Sequence, residues 1–217
     1  MRFLITAGPT REPIDPVRYI TNRSSGKMGY ALAAAAKEAG HAVTLISGPT
    51  NLQQPAGVNF VPVETARQMF DAVAGVIKSH DVAIFSAAVA DYRPAEVADE
   101  KIKKNEDHIA LALEKTADIL GSARIEFGFD GFLVGFAAET QNLLIEAQSK
   151  LRRKACDLVV ANDVSKPGTG FDSDENEVTL CLPGGKALPL PRKAKTELAR
   201  EIVRFIEERV AAQNPHR

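Results

Sequence analysis

The sequence has no tryptophan and only two cysteines, and aromatic residues make up 6% of its 217 positions. Cys156 and Cys181 form no CxxC pair. Each stands in a stretch suited to a strand and reads as a small buried hydrophobe, because a catalytic thiol would need a nearby base that the sequence does not offer. The four histidines, His41, His80, His108 and His216, are scattered. None sits at ligand spacing, so no protein-built zinc site is expected. No apolar run approaches the length of a bilayer span. The opening Met1-Arg2-Phe3-Leu4-Ile5-Thr6 is too short, and too soon followed by turn residues, to be a signal peptide. The expected compartment is therefore the cytoplasm, with no membrane partner. An excess of charge of one sign is missing too: the formal net charge is -1, which argues against a general nucleic-acid surface.

What remains is ordinary for a globular protein, 45% hydrophobic and 25% charged. Apolar β-branched runs alternate with amphipathic helical stretches, the pattern of a mostly parallel sheet covered by helices. Strands are expected over 2–6, 42–46, 58–63, 81–86, 132–138 and 158–161. Helices are expected over 26–39, ending at Gly40, over 65–78 behind a Thr65 cap, over 140–154 and over 193–211. Residues 8–25 and 162–174 read as loops. The runs 177–182 and 187–190 flank Pro183-Gly184-Gly185 as a β-hairpin. The fold class is α/β, Rossmann-like, with helices on both faces of the sheet and a C-terminal β-hairpin appendage over 163–190. The whole chain, 1–217, reads as a single domain.

The loop before the first helix looks like an anion site. Ser24 and Ser25 are placed to cap the helix, Gly26 and Gly29 remove side chains where backbone N–H groups could meet an anion, and Arg23 and Lys27 add charge. An ordinary capped helix is the plainer reading, but the loop is longer than most βα connections. It is not a Walker A loop, since Met28 follows Gly26-Lys27. The same glycines suit a short-chain dehydrogenase. That enzyme wants an acidic residue after the second strand, where this chain has Ser47-Gly48-Pro49-Thr50, and a Tyr-x-x-x-Lys pair, which none of its tyrosines makes.

Beyond the fourth strand, Ser86-Ala87-Ala88-Val89-Ala90-Asp91 offers small residues for close ligand approach. Asp91 could hold a metal, a sugar hydroxyl or merely a turn. Lys101 belongs to a charge run that is otherwise a solvated face. Folded over a polyphosphate, one ammonium at about 4 Å would contribute roughly 4 kcal/mol at an effective dielectric near 20. Lys150 and Lys154, four apart on a helix, read on their own as a solvated helix end.

Taken together, the motifs Ile5 to Glu12, Asn22 to Gly29, Ala87 to Tyr92, Lys101 to Lys104, Gly135 to Thr140 and Ala161 to Val164 resemble phosphopantothenoylcysteine synthetase, in particular the bacterial form fused to a decarboxylase. They occur in order and cover nearly the whole chain. The decarboxylase half is not seen here, so the expectation is a free-standing synthetase or an excised domain, without flavin. The resemblance implies a ligase that joins 4′-phosphopantothenate to cysteine through an acyl-nucleotide. It would use Mg²⁺ and a nucleoside triphosphate, CTP in preference to ATP, and work as a homodimer.

By motif, Asn22 and Lys101 take the catalytic roles. Asn22 meets the acyl intermediate, and Lys101 meets the triphosphate. Nucleotide contacts fall to Phe85, Ser86, Ala87, Asp91, Lys101, Ala117, Asp118, Ile119, Phe136, Lys150 and Lys154. Ser24, Ser25, Gly26 and Ala88 are assigned to phosphate and substrate; no metal ligand is assigned. One departure bears on nucleotide choice: Thr116-Ala117-Asp118-Ile119 stands where the family often has Asn-Pro-Asp-Ile. The hairpin of 163–190 is the expected dimerisation element. The alternatives are a nicotinamide-dependent reductase and a nucleotide-sensing module without chemistry.

Overall fold

The computed structural model describes residues 1–104, 108–139, 142–163 and 173–213. Strands β1 (Arg2–Ala7), β4 (Ala42–Ser47), β5 (Asn59–Pro62), β6 (Val82–Phe85), β9 (Phe132–Glu139) and β10 (Leu158–Asp163) pair in parallel. Strands β11 (Glu175–Cys181) and β12 (Ala187–Ala194) complete an eight-stranded sheet in the order β12-β11-β10-β9-β6-β1-β4-β5. The parallel strands read as continuous apolar runs because both faces are covered. In β1, Phe3, Ile5 and Ala7 pack toward α1 (Lys27–Glu38) and α5 (Lys195–Gln213), while Leu4 faces α2 (Ala66–Val76) and α3 (Ile119–Ile125). In β10, Leu158 and Val160 take the first face, whereas Val159 and Ala161 take the second, against α4 (Leu143–Arg153).

Local chemistry sets the helix ends. Thr65 and Gln68 form a reciprocal capping box at the start of α2. Gly40, at φ 86, closes α1, with its N–H donating to the Lys37 carbonyl at 3.0 Å. The expected serine cap on α1 is corrected. The cap position is Gly26 in a left-handed conformation (φ 78), and no side chain caps the helix. Ser24 instead turns its Oγ to the Gly26 N–H at 3.4 Å. Gly29, one turn in, lets the helix lie against the sheet, since a Cβ there would stand 2.5 Å from the Ala7 Cβ.

Two small ribbons were not legible as strands. The long polar loop carries β2 (Arg11–Pro13) paired with β3 (Tyr19–Thr21), and β7 (Tyr92–Pro94) pairs with β8 (Leu113–Lys115). Three-residue strands, mostly exposed, leave no alternation to detect. The hairpin was expected, but its place is more central than an appendage. β11 runs antiparallel to β10, with Asn162 opposite Val178 and Val159 opposite Cys181. Val178, Leu180 and Leu182 belong to the main core. Residues 164–172 of the loop expected over 162–174 lie outside the described residues; Asn162 and Asp163 extend β10. Among the described residues, no helix is long and apolar enough to cross a membrane.

Candidate functional site

In an open parallel sheet, ligands bind beyond the carboxyl ends of the strands, where the loops diverge. Two cavities lie there. The larger, about 640 Å³, takes Phe85, Ala87 and Asp91 from the end of β6 and the loop after it. Its other walls are Ala117, Asp118 and Ile119 before and at the start of α3, Phe136 of β9, and Lys150 and Lys154 of α4. The smaller, about 230 Å³, lies at the start of α1 and takes Ser24, Ser25, Gly26, Ser86 and Ala88. Ala87, Val89, Phe136 and Lys150 line both, so the two clefts share one wall.

The chain chemistry around this wall is specific. Lys150 Nζ donates to the Phe136 carbonyl at 2.9 Å. Lys154 pairs with Asp118, whose carboxylate also caps α3 by accepting from the Gly121 N–H at 2.9 Å. The α4 lysines are therefore held across the cleft floor and are not a freely solvated helix end. Ser86 Oγ donates to the Thr6 carbonyl at 2.7 Å, locking β6 to β1 at the rim. Asn22 lines neither cavity but adjoins both. Its Nδ2 donates to the carbonyls of Ala88 and Val89, each at 3.1 Å, tying the loop before α1 to the loop after β6.

Lys101 is not brought to either cleft. It is exposed, and its neighbour Ile102 is clamped at the tip of the β2–β3 ribbon. The Ile102 N–H donates to Asp15 Oδ2 at 3.1 Å, and Arg18 Nη2 donates to the Ile102 carbonyl at 3.1 Å. The Arg18 guanidinium beside Asp15 holds its carboxyl well below the usual carboxylate range.

Sequence reasoning passed over three residues of the smaller cleft: Asn162, Asn176 and Lys195. Asn162 lay inside a matched motif but was given no role, and Lys195 fell within the charged helix expected over 193–211. Both cysteines are buried. Burial pushes the Cys156 thiol up to about 12, which leaves almost no thiolate at neutral pH. Among the described residues, no group of three or more His, Cys, Asp or Glu is placed to hold a metal. Magnesium needs no such cage, since it is commonly held by one or two carboxylates together with substrate phosphates. The exposed carboxylate of Asp91, on the wall of the larger cleft, fits that pattern.

These features define an α/β protein with helices on both faces of a mostly parallel sheet and a divided, lysine-bearing groove at its carboxyl edge. The model for the DNA/pantothenate metabolism flavoprotein C-terminal domain matches residues 1–210, and the chain belongs to that family. It is similar to the coenzyme A biosynthesis bifunctional protein CoaBC of Vibrio vulnificus strain YJ016, at 52% identity over 208 residues, covering 94% of this chain and 51% of that protein. It is 48% identical to CoaBC of Bacillus subtilis strain 168, covering 94% of this chain and 50% of that protein. The chain thus spans about half the length of the curated relatives it matches. Among solved structures, it is similar to the crystal structure of the C-terminal domain of CoaBC, with a TM-score of 0.82 and 44% identity, covering 97% of this chain and 96% of that one. A Cab2 mutant in complex with phosphopantothenate-cysteine shares the fold, with a TM-score of 0.78 at 17% identity, covering 99% of this chain and 88% of that one.

Proposed function

We propose that the chain is a phosphopantothenate–cysteine ligase of coenzyme A biosynthesis, driven by a nucleoside triphosphate. The single observation that carries this reading is the shared wall. A nucleotide in the larger cleft and a phosphorylated acid in the smaller one would meet at Ala87, Val89 and Phe136, with Lys150 between them. The kinship with CoaBC and the fold shared with the Cab2 complex support it.

The substrate carboxylate attacks the α-phosphorus, the bond to the bridging oxygen breaks, and pyrophosphate leaves. The cysteine amine then attacks the acyl carbon, releasing the nucleoside monophosphate and a proton. No protein nucleophile is needed, so positioning and charge carry the reaction. Lys150 and Lys154 offset the triphosphate charge, Phe85 and Phe136 supply apolar surface, and the backbone around Ala117, Asp118 and Ile119 borders the base. Ser24, Ser25, Gly26 and Ala88 receive the phosphorylated arm, where the positive end of the α1 dipole favours an anion. Asp91 would hold Mg²⁺, which would supply positive charge to offset that of the triphosphate. Asn22 serves capture by cysteine, and Lys101 serves triphosphate binding. CTP is the preferred nucleotide in this reading, and the working form is a homodimer.

The test is to mix the protein with phosphopantothenate, cysteine, Mg²⁺ and either CTP or ATP, and to follow pyrophosphate and product. Pyrophosphate release coupled to amide formation, faster with CTP, is the expected result. Tight nucleotide binding with no turnover would sink the ligase reading.

A further inference from the structure

The larger cleft has one wall in the loop that leaves β6 and another in residues 116–119, which join the β7–β8 ribbon to α3. Thr116 lines the cleft and binds the first wall twice. Its N–H donates to the Asp91 carbonyl at 3.0 Å, continuing the ladder in which Tyr92 faces Lys115. Its Oγ1 donates to the Ala90 carbonyl at 2.5 Å. Any residue but proline could make the first bond. The second needs a short side chain that donates.

The two ends of the hydroxyl bond are not equally fixed. Ala90 is 5% exposed, and its N–H donates at 3.0 Å to Oγ1 of Thr10, which is fully buried. The Thr10 N–H donates in turn to the Ala88 carbonyl at 3.2 Å, and the Asn22 amide holds the carbonyls of Ala88 and Val89. That loop is pinned without Thr116. The other wall has less to hold it. Leu113 to Lys115 are exposed, as are Ala117 and Asp118, and Ala117 has no ring to fix its φ. Beyond it, Asp118 caps α3 and pairs with Lys154. Ala117 is therefore held between two polar anchors, Thr116 and Asp118. A bond between a pinned wall and a looser one positions the looser one.

Resting on the nucleotide reading of the larger cleft, we propose that Thr116 is a positioning residue for the nucleotide. Its hydroxyl sets how far the backbone at Ala117 stands from Asp91, and with it the width open to base and sugar. A wall that must be ordered on binding costs affinity, and the hydroxyl orders it beforehand. The smaller cleft takes Ala88 and Val89 as its share of the first wall. Thr10 and Asn22 hold these, so binding of the phosphorylated acid does not depend on Thr116.

The test is calorimetric titration of the full chain with CTP and Mg²⁺ and, separately, with phosphopantothenate, beside steady-state kinetics. Thr116→Val keeps the shape and removes the donor. It is expected to weaken CTP binding and raise the KM for CTP roughly 5- to 10-fold, the scale of one hydrogen bond. Its kcat should stay within about two-fold of wild type, with phosphopantothenate affinity unchanged. Thr116→Ser is expected to keep wild-type values. Wild-type CTP affinity in Thr116→Val overturns the proposal. So does an equal loss for both ligands, which general loosening of the fold would give, or a serine variant as weak as the valine one. If Thr116→Val fails to fold, Thr116→Ala decides by the same readouts. Weaker CTP binding in the variant, beside a wild type that binds CTP and makes no product, would uphold this inference and sink the ligase reading. Product formation with an unaltered KM for CTP would do the reverse, and a wild type that binds no nucleotide would overturn both.

Discussion

Asn22 spends its amide donors on the carbonyls of Ala88 and Val89. A carboxylate there could donate to neither and would face two carbonyl oxygens. Asn22→Asp is therefore expected to loosen the tie between the two loops, letting acyl-nucleotide accumulate while slowing its capture by cysteine by roughly 100-fold, the scale of a reacting centre held out of place. Mass spectrometry of intermediate and product checks this, and wild-type turnover would remove Asn22 from its role. Lys101→Gln is expected to block the first half-reaction, with undiminished intermediate counting against it. Lys101 lines neither cleft in this structure, so its loop must leave the Asp15–Arg18 clamp, or a neighbouring subunit must supply it.

Asp15 gives a pH prediction. Its carboxyl is depressed below its ordinary value of 3.8, first by Arg18 and further by backbone N–H groups of Val17, Ile102 and Arg18. The stability it contributes is present above that ordinary value and is lost as pH falls through the folded one. Asp15→Asn should thus have a lower Tm than wild type at pH 7, with the gap shrinking below about pH 4. A gap independent of pH would show that charge is not what Asp15 contributes.

At the scale of elements, the strands of the parallel sheet were readable because burial on both faces leaves short β-branched runs bounded by turn residues. The start of α2 was readable because Thr65 carries its own cap. The ribbons were not, because strands of three residues carry no period. The site divided in the same way. Ser24 and Gly26 stood out in the loop before α1, and Phe136 and Lys150 came only through the family resemblance, whereas Lys195 belongs to the cleft only because of how β12 returns. β11 runs back along β10, so its beginning, with Asn176, stands at the carboxyl edge. β12 then runs forward again, Glu175 pairs with Ala194, and Lys195 arrives at the same edge. The hairpin is thus a wall of the cleft and part of the core. Deleting 175–194 is expected to yield unfolded or aggregated protein by circular dichroism and light scattering. A folded monomer would restore the hairpin to the role of a dispensable dimer arm.

Over the whole molecule, exposed apolar side chains gather on the ribbons and the segments joining them: Val17, Tyr19, Tyr92, Val97, Leu111 and Leu113. Exposed apolar side chains concentrated on two neighbouring ribbons suit an association face. The Arg18–Ile102 clamp places Lys101 beside that face. A second copy of the chain is its expected occupant, in place of contact through the hairpin. Leu111→Asp with Leu113→Asp should give monomers of unchanged secondary structure by light scattering, and an intact dimer would rule the face out.

The strand reversal that delivers Lys195 to the groove also sends the Pro183–Gly185 turn to the opposite end of the sheet, since Cys181 pairs near the start of β10. Gly184 and Gly185 are exposed, and a side chain at either would touch nothing within 4 Å. A fluorophore or affinity handle spliced in there would report on the protein from the end of the sheet opposite the groove, leaving the candidate site undisturbed.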